Sequence, residues 1–227
     1  MKSIEEGVSR RPKVLLCAVV GACMLLAAIV APAALGFSAE LLLKIKARYG
    51  EGASTRILGW QTLIETTKNL PEKEKLERVN DFFNQQIEFV DDEDLWGVND
   101  YWATPLEMLA RGAGDCEDYS IAKYFTLREL GIDDKKIRIT YVKAIELNQA
   151  HMVLTFFETP RSIPLVLDNL IPSIKLATKR RDLLPVYSFN GSGLWLAKSR
   201  GSGKRVGKSS RLSKWSGLKS RMLEGRF

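Results

Sequence analysis

Few residues in this chain can supply thiol or imidazole chemistry. The chain contains one histidine, His151, and three cysteines, of which Cys17 and Cys23 lie inside an apolar N-terminal run. If that run is removed, Cys116 is the only remaining thiol. An imidazole can take the proton of a thiol and later deliver a proton to a leaving amine. Thiol and imidazole chemistry in the remaining chain therefore has to use Cys116 and His151.

Cys116 stands at the predicted start of a helix. It directly follows the glycine-rich turn GAGD and opens a segment of helical composition. Free backbone N–H groups and the positive end of the helix dipole favour a thiolate at such a position. A cysteine without a partner in an exported protein also suggests a reactive role. We therefore predict that Cys116 is a nucleophile, the alternative being a small buried core thiol.

His151 and Asp168 are placed to complete a triad. His151 begins one strand candidate, and Asp168 ends the next one, 17 residues later. Two neighbouring strands would bring the carboxylate beside the imidazole, where it fixes the tautomer and orients the ring. The alternatives are that His151 is an ordinary polar residue and that Asp168 caps a turn. Together with Cys116 they form a candidate Cys-His-Asp triad.

The elements that must position these residues are helices first and strands second. The helical segments are residues 38–48, 56–69, a helix opening at Pro71, a short helix at 104–109, and the helix that begins at Cys116. The strand candidates are residues 137–143, 151–157 and 163–167. This order predicts an α+β fold in which N-terminal helices and the nucleophile helix pack on an antiparallel sheet.

Residues 1–36 form a candidate targeting segment. Three basic residues precede an uncharged run, residues 14–36, that ends in small side chains. This pattern is typical of an export signal. At 23 residues the run is also long enough to span a bilayer, so a cleaved signal peptide and an uncleaved inner-membrane anchor both remain open. In either case the basic flank places the domain at 37–227 outside the cytoplasm.

The net charge of +7 is unevenly distributed along the chain. Residues 198–227 carry ten lysines or arginines and one acid, whereas residues 37–197 are net acidic. A basic segment of this kind contacts solvent, acidic lipid or protein, and export argues against nucleic acid as its partner. Four apolar residues at helical spacing predict a C-terminal amphipathic helix within the basic segment. They are Leu212, Trp215, Leu218 and Met222.

The GDCEDY motif with a downstream His and Asp resembles the bacterial transglutaminase-like cysteine proteinases, the LapG-type periplasmic adhesin proteases. The resemblance covers most of the chain after the targeting segment. It implies a papain-like or transglutaminase-like fold with Cys116, His151 and Asp168 as the triad. The residues that carry it are Trp102, Thr104, Pro105, Glu107, residues 112–124, Ala150, His151, Met152, Leu167 and Asp168.

The same resemblance implies a biological role. Members of this family cleave the N-terminal region of a large surface adhesin, which frees the adhesin and disperses biofilm. An inner-membrane receptor that binds cyclic di-GMP sequesters the protease from the periplasmic side. We therefore expect a periplasmic enzyme, with a possible membrane tether through residues 14–36.

The family also implies a calcium site beside the nucleophile. The matching carboxylates are Asp115, Glu117 and Asp118. Carboxylate oxygens suit calcium, but three acids do not fill six to eight coordination positions. Backbone carbonyls, water or the acidic loop at residues 91–100 would have to complete the shell. The alternative is that acids in a first helical turn are surface residues favoured by the helix dipole.

Two further points stay open in the sequence. The backbone N–H of Cys116 is a natural oxyanion donor, and an indole N–H from Trp96 or Trp102 could be a second, although packing alone also explains both tryptophans. The same triad could pass its acyl group to an amine, as a transglutaminase does. Two other hypotheses remain. The domain could be a non-catalytic binding module of this fold, or the basic segment could itself contact a membrane or a receptor.

Overall fold

The computed structural model describes residues 37–197 and 203–224. The predicted targeting segment lies outside the described residues, so both of its interpretations stay predictions. Within the described ranges, no helix is long and apolar enough to cross a bilayer. The α-helices are α1 (Ala39–Tyr49), α2 (Glu51–Thr67), α3 (Glu72–Gln86), α4 (Asp92–Trp96), α5 (Pro105–Arg111), α6 (Cys116–Glu129) and α7 (Ser213–Glu224).

The strands form one antiparallel sheet and one short parallel pair. They are β1 (Glu88–Phe89), β2 (Ala113–Gly114), β3 (Ile137–Ala144), β4 (Gln149–Phe156), β5 (Leu165–Leu167), β6 (Lys175–Leu176), β7 (Leu183–Phe189), β8 (Leu194–Leu196) and β9 (Lys204–Gly207). The large sheet has the order β6-β5-β4-β3-β7-β8-β9, and β1 pairs with β2. Helices α1 to α6 precede the antiparallel sheet and α7 follows it, and this segregation confirms the predicted α+β class.

Helix α6 lies between the helical layer and the sheet. Its side chains are buried on several sides, with Ile121 and Leu127 fully inaccessible to solvent. The indole of Trp60 in α2 donates a 2.8 Å hydrogen bond to the Thr126 hydroxyl and so joins the two helices. A helix buried on most of its faces cannot shift without disturbing the core. Its first residue, Cys116, is therefore carried on a rigid element.

The turn before α6 depends on a glycine. Helix α5 begins with a capping box between Thr104 and Glu107 and ends at Gly112, which has a φ of +75°. The Arg56 side chain donates a 2.7 Å hydrogen bond to the carbonyl of Leu109 in the last turn of α5. A Cβ at Gly112 would lie 2.5 Å from the Arg56 guanidinium carbon. The positive φ favours glycine at the turn before Cys116, and any Cβ there would also displace the Arg56 guanidinium from the end of α5.

The basic C-terminal segment is part of the fold. Trp215 of α7 is fully buried and stacks on Phe125 of α6, with ring centroids 5.4 Å apart. It also meets Phe189 of β7 edge-on at 5.2 Å. Leu218 is fully buried, whereas Met222 is exposed. The amphipathic helix expected from the spacing is thus present, with its apolar side on α6 and β7.

The structure contains more short elements than the sequence patterns indicated. The acidic loop includes α4, a five-residue helix, and the sheet continues through β6 to β9 beyond the three predicted strands. Strand β4 also begins at Gln149, two residues before His151. These elements are short, polar or interrupted by Pro185 in β7, so their patterns are too weak to identify without the neighbouring strands.

Candidate active site

The position of Cys116 is fixed by backbone pairing. The short strand before it pairs with β1, through hydrogen bonds from the Glu88 N–H to the Gly112 carbonyl at 3.0 Å and from the Val90 N–H to the Gly114 carbonyl at 3.1 Å. Cys116 follows as the first residue of α6 and is half-buried. The predicted helix-start position of the nucleophile is therefore observed.

Two strands bring His151 and Asp168 together. His151 lies in β4, and Asp168 follows β5 directly, with Leu154 paired opposite Leu167 between the strands. The His151 Nε2 atom lies 2.8 Å from Asp168 Oδ1, and both side chains are buried. Because Nε2 faces the carboxylate, Nδ1 is the ring nitrogen left for a second partner.

Cys116 and His151 meet in one groove, here called the active-site groove. The wider part of the groove has a volume of about 520 Å³, and the narrower part about 340 Å³. Four residues line both parts, which places the thiol and the imidazole where they join. They are Cys116, Glu117, Ala150 and His151.

The two tryptophans considered as oxyanion donors lie in different places. Trp102 lines the wider part of the groove and stacks on Phe189 with ring centroids 5.6 Å apart. Trp96 instead packs on Tyr101 and lies beneath the Arg111 guanidinium. Of the two indoles, only that of Trp102 borders the groove.

Carboxylates converge beside the nucleophile. Three sets of side chains have ligand atoms within 4.8 Å of one another. They are Asp92, Asp115 and Asp118; Asp92, Asp100 and Glu117; and Asp115, Cys116 and Glu117. The predicted acids at 115, 117 and 118 are thus joined by Asp92 and Asp100 from the acidic loop. We call the five carboxylates the acidic cluster.

The acidic cluster holds oxygens without partners. Asp92 accepts from the Tyr101 N–H, and Asp118 accepts from the Ala103 N–H at 2.7 Å. The other carboxylate oxygen of each, together with Oδ1 of Asp115, is buried without a hydrogen-bond partner in the described structure. Buried, unpaired carboxylate oxygens that converge are the donor set that a hard cation such as calcium requires.

Without a cation, the acidic cluster opposes its own ionisation. Burial, only partly offset by the Tyr101 N–H, raises the pKa of Asp92 to about 6. Burial raises the pKa of Asp118 well above its ordinary value, and burial with repulsion from Glu117 does the same to the pKa of Asp115. Like charges in a poorly solvated site disfavour the ionised form. These carboxylates are therefore the part of the site in greatest need of a counter-charge.

The same charges act on the nucleophile. The Cys116 thiol donates to Glu117 Oε2 at 3.1 Å. Burial, followed by Glu117 and Asp115, raises the pKa of Cys116 well above its ordinary value, and the Met152 N–H only partly offsets this. The two carboxylates that adjoin the sulfur thus oppose the thiolate form that the helix start favours.

Several residues of the site are not marked by any local sequence signal. The Nη2 atom of Arg180 lies 2.7 Å from Asp168 Oδ2. Lys123 and Asn84 both donate to the Asp168 carbonyl, at 3.2 and 2.8 Å. Lys123 stands among apolar residues of α6, but no sequence pattern singled it out, and Arg180 and Asn84 come from segments without a motif. Only the fold identifies them.

Comparisons with known proteins show which family and which solved structures the chain resembles. The family model of the bacterial transglutaminase-like cysteine proteinases matches residues 60–189. An EGTA-treated structure of LapG from Legionella pneumophila is 46% identical, with a TM-score of 0.71, over 82% of this chain and 98% of that chain. A calcium-bound structure of the same protein is 46% identical, with a TM-score of 0.69, over 82% and 99%. A comparison with curated protein sequences gave no match.

Proposed function

Because the chain belongs to the bacterial transglutaminase-like cysteine proteinases, we propose that it is an endopeptidase whose reaction is carried by Cys116, His151 and Asp168. The observation that carries the assignment is the 2.8 Å pairing of His151 with Asp168 beside Cys116 in one groove. A nucleophile, a base and a residue that orients the base are the three groups that thiol-dependent acyl transfer needs.

The proposed mechanism follows from which imidazole nitrogen is free. Asp168 accepts from Nε2–H, so Nδ1 takes the proton of Cys116 as the sulfur attacks the scissile carbonyl. The imidazolium then delivers that proton to the leaving amine, which leaves a thioester on Cys116. Water attacks the thioester, His151 again handles the proton, and the free thiol returns. The N–H of Cys116 and the Trp102 indole are the oxyanion donors that we assign.

The acidic cluster is proposed as a calcium site. Asp92, Asp115, Asp118, Glu117 and Asp100 would hold the ion, with backbone carbonyls or water completing the shell. A bound cation would neutralise the carboxylates that adjoin the sulfur and fix the turn from which α6 begins. The calcium-bound structure of the Legionella protein supports this assignment.

The substrate and setting belong to the same proposal. We infer that the enzyme acts in the periplasm on the N-terminal region of a large surface adhesin, so that cleavage releases the adhesin and disperses biofilm. An inner-membrane receptor for cyclic di-GMP is the proposed inhibitor. The family membership supports this role, and the apolar run at residues 14–36, cleaved or retained as a tether, supports the compartment.

The proposal is tested by incubating the full-length protein with the N-terminal region of a candidate adhesin from the same genome. Wild-type protein should cleave it, and the Cys116→Ala variant should not. A Cys17→Ala, Cys23→Ala double variant is the matched thiol control and should retain full activity. Chelation should abolish cleavage and added calcium should restore it.

Two outcomes would count against this assignment. Cleavage that survives Cys116→Ala would remove the nucleophile, and cleavage that is indifferent to chelator would remove the calcium site. Mass spectrometry of the products in the presence of an added amine separates hydrolysis from acyl transfer, because only a transglutaminase would attach the amine to the acyl group.

A further inference from the structure

We propose that Arg180 is a positioning residue for the reaction, acting through the Asp168 carboxylate on the orientation and tautomer of His151. The inference rests on the proposed triad and deepens it. Its basis is a chain of contacts in which each side chain is buried: His151 Nε2 to Asp168 Oδ1 at 2.8 Å, and Asp168 Oδ2 to Arg180 Nη2 at 2.7 Å.

The two oxygens of Asp168 have different partners. Oδ1 accepts from His151 and also from the Leu170 N–H at 3.1 Å. Oδ2 has the Arg180 guanidinium as its ion-pair partner, and neither side chain of that pair is more than 2% exposed. A carboxylate that is held at only one oxygen can rotate about its last torsion. The ion pair at Oδ2 therefore fixes which oxygen faces the imidazole.

Arg180 also keeps Asp168 ionised. Burial by itself raises the pKa of the Asp168 carboxyl, but His151 and Arg180 together bring it below its ordinary value. If Asp168 took up a proton, it could offer an O–H in place of an acceptor, and the Nε2–H tautomer of His151 would lose its partner. After His151, the Arg180 guanidinium thus also favours the ionised carboxylate that the proposed mechanism uses as acceptor.

The guanidinium is itself held in place. Arg180 Nε donates to Asp182 Oδ1 at 3.1 Å, and Nη2 donates to Asp182 Oδ2 at 2.7 Å. Arg180 and Asp182 lie in the connection between β6 and β7, far in sequence from both other members of the chain of contacts. A planar guanidinium shared by two carboxylates has little freedom to leave either one.

The other charges around the pair have separate roles. From α6, Lys123 contacts the main-chain carbonyl of Asp168, so it holds the backbone and does not hold the carboxylate. Also from α6, Cys116 and Glu117 share the groove with His151. Among these groups, Arg180 is the cation in contact with the carboxylate oxygens of Asp168.

A merely structural ion pair would also be costly to break, because a buried carboxylate would be left without its counter-charge. The test therefore needs a measurement that does not change when the protein is merely less stable. The chain has one histidine, so ¹⁵N-histidine labelling of the full-length protein gives one pair of imidazole resonances, which report the tautomer directly. A Cys116→Ala background removes the thiol proton from that measurement.

With Arg180 intact, the neutral imidazole should be the Nε2–H tautomer. Arg180→Met should give a mixed tautomer, and in the active protein kcat should fall by about 10- to 100-fold with KM changed less than about twofold. Arg180→Lys, which keeps a cation, should partly restore the Nε2–H tautomer and partly restore kcat. In an Asp168→Asn background Arg180→Met should lower kcat no further, because the contact is already lost.

The matched control is Arg138, a second buried arginine, which lies on β3 with its guanidinium over the Trp195 ring. Arg138→Met should lower stability while leaving the tautomer and kcat unchanged. If Arg180→Met behaves like Arg138→Met, Arg180 is structural only and the proposal is wrong. If Arg180→Met does not fold, the test uses Arg180→Lys and Asp182→Asn instead. A His151 tautomer that is unaltered in both variants would overturn the proposal. Activity that survives Asp168→Asn would instead refute the proposed triad. The role of Arg180 would still be tested by the His151 tautomer in the Arg180 variants.

Discussion

Two charged regions adjoin the nucleophile, and they are built in opposite ways. The Asp168 carboxylate has its partners supplied by the protein, with His151 on one oxygen and Arg180 near the other. In the acidic cluster, by contrast, buried oxygens of Asp92 and Asp118 have no partner within the described residues. The charge of Asp168 is thus balanced by a side chain of the protein itself, whereas the carboxylates of the acidic cluster adjoin one another. We therefore expect the two regions to respond differently to calcium.

The largest contrast should come from two matched Asp→Asn substitutions. Asp168→Asn should lower kcat by about 10³- to 10⁴-fold, since an amide can present its N–H to the imidazole and stabilise the wrong tautomer. It should leave the stabilisation by calcium intact. Asp118→Asn should remove most of that stabilisation, which for wild type is about 2.7 kcal/mol at a calcium concentration 100-fold above Kd. Kinetics and thermal unfolding with calcium or chelator measure both.

The control for this pair is Asp94→Asn, which removes an exposed acid of α4. It should change neither kcat nor the calcium response. If Asp168→Asn also abolished the calcium response, the two regions would be one coupled unit and the contrast drawn above would be wrong.

A smaller effect is expected at Lys123, the cation beneath Asp168. Burial lowers the pKa of this lysine to about 7, although Asp168 and Asp81 act in the opposite direction. Below pH 7 both the folded and unfolded chains carry the proton, so the full penalty of burying the charge is present. Between pH 7 and the ordinary value of 10.5, the unfolded chain binds more protons, and this group makes the free energy of unfolding rise with pH.

Lys123→Met should remove that rise, which is at most about 1.4 kcal/mol per pH unit for one proton. Denaturant unfolding at several pH values between 6 and 10, at fixed calcium, measures it. Lys73→Met, at an exposed position of α3, should keep the wild-type pH dependence. Parallel wild-type and Lys123→Met curves would mean that the buried lysine holds its proton throughout.

The smallest effect concerns the border between the acidic cluster and the C-terminal helix. The Lys214 ammonium lies 2.5 Å from Asp100 Oδ2, and both side chains are about half exposed. Lys214→Met should cost less than about 1 kcal/mol of stability, because exposed pairs are well solvated. It should also raise calcium affinity by about two- to threefold, roughly 0.5 kcal/mol, by freeing Asp100. Calcium titrations of Lys214→Met and of the control Lys219→Met on the same helix test this, and a weaker affinity would show that Asp100 is no ligand.

Much of the site was open to sequence reasoning because its signals are local. A unique histidine, a lone cysteine after GAGD and carboxylates in the first turn of a helix need no tertiary contact to be noticed. The spacing of His151 and Asp168 matched two adjacent strands, and the structure does place them 2.8 Å apart. The helical order and the α+β class followed from periodicity, which long amphipathic segments display clearly.

What only the tertiary structure decided is how the charges are paired. Arg180 reaches Asp168 from a segment with no motif, because a counter-charge has to be near in space and need not be near in sequence. The short strands from β6 to β9 were hidden for the same reason, since an edge strand is stabilised by its neighbour more than by its own residues. The sequence determined which groups could react. The fold determined that Asp168 pairs with Arg180, whereas the carboxylates of the acidic cluster converge on one another.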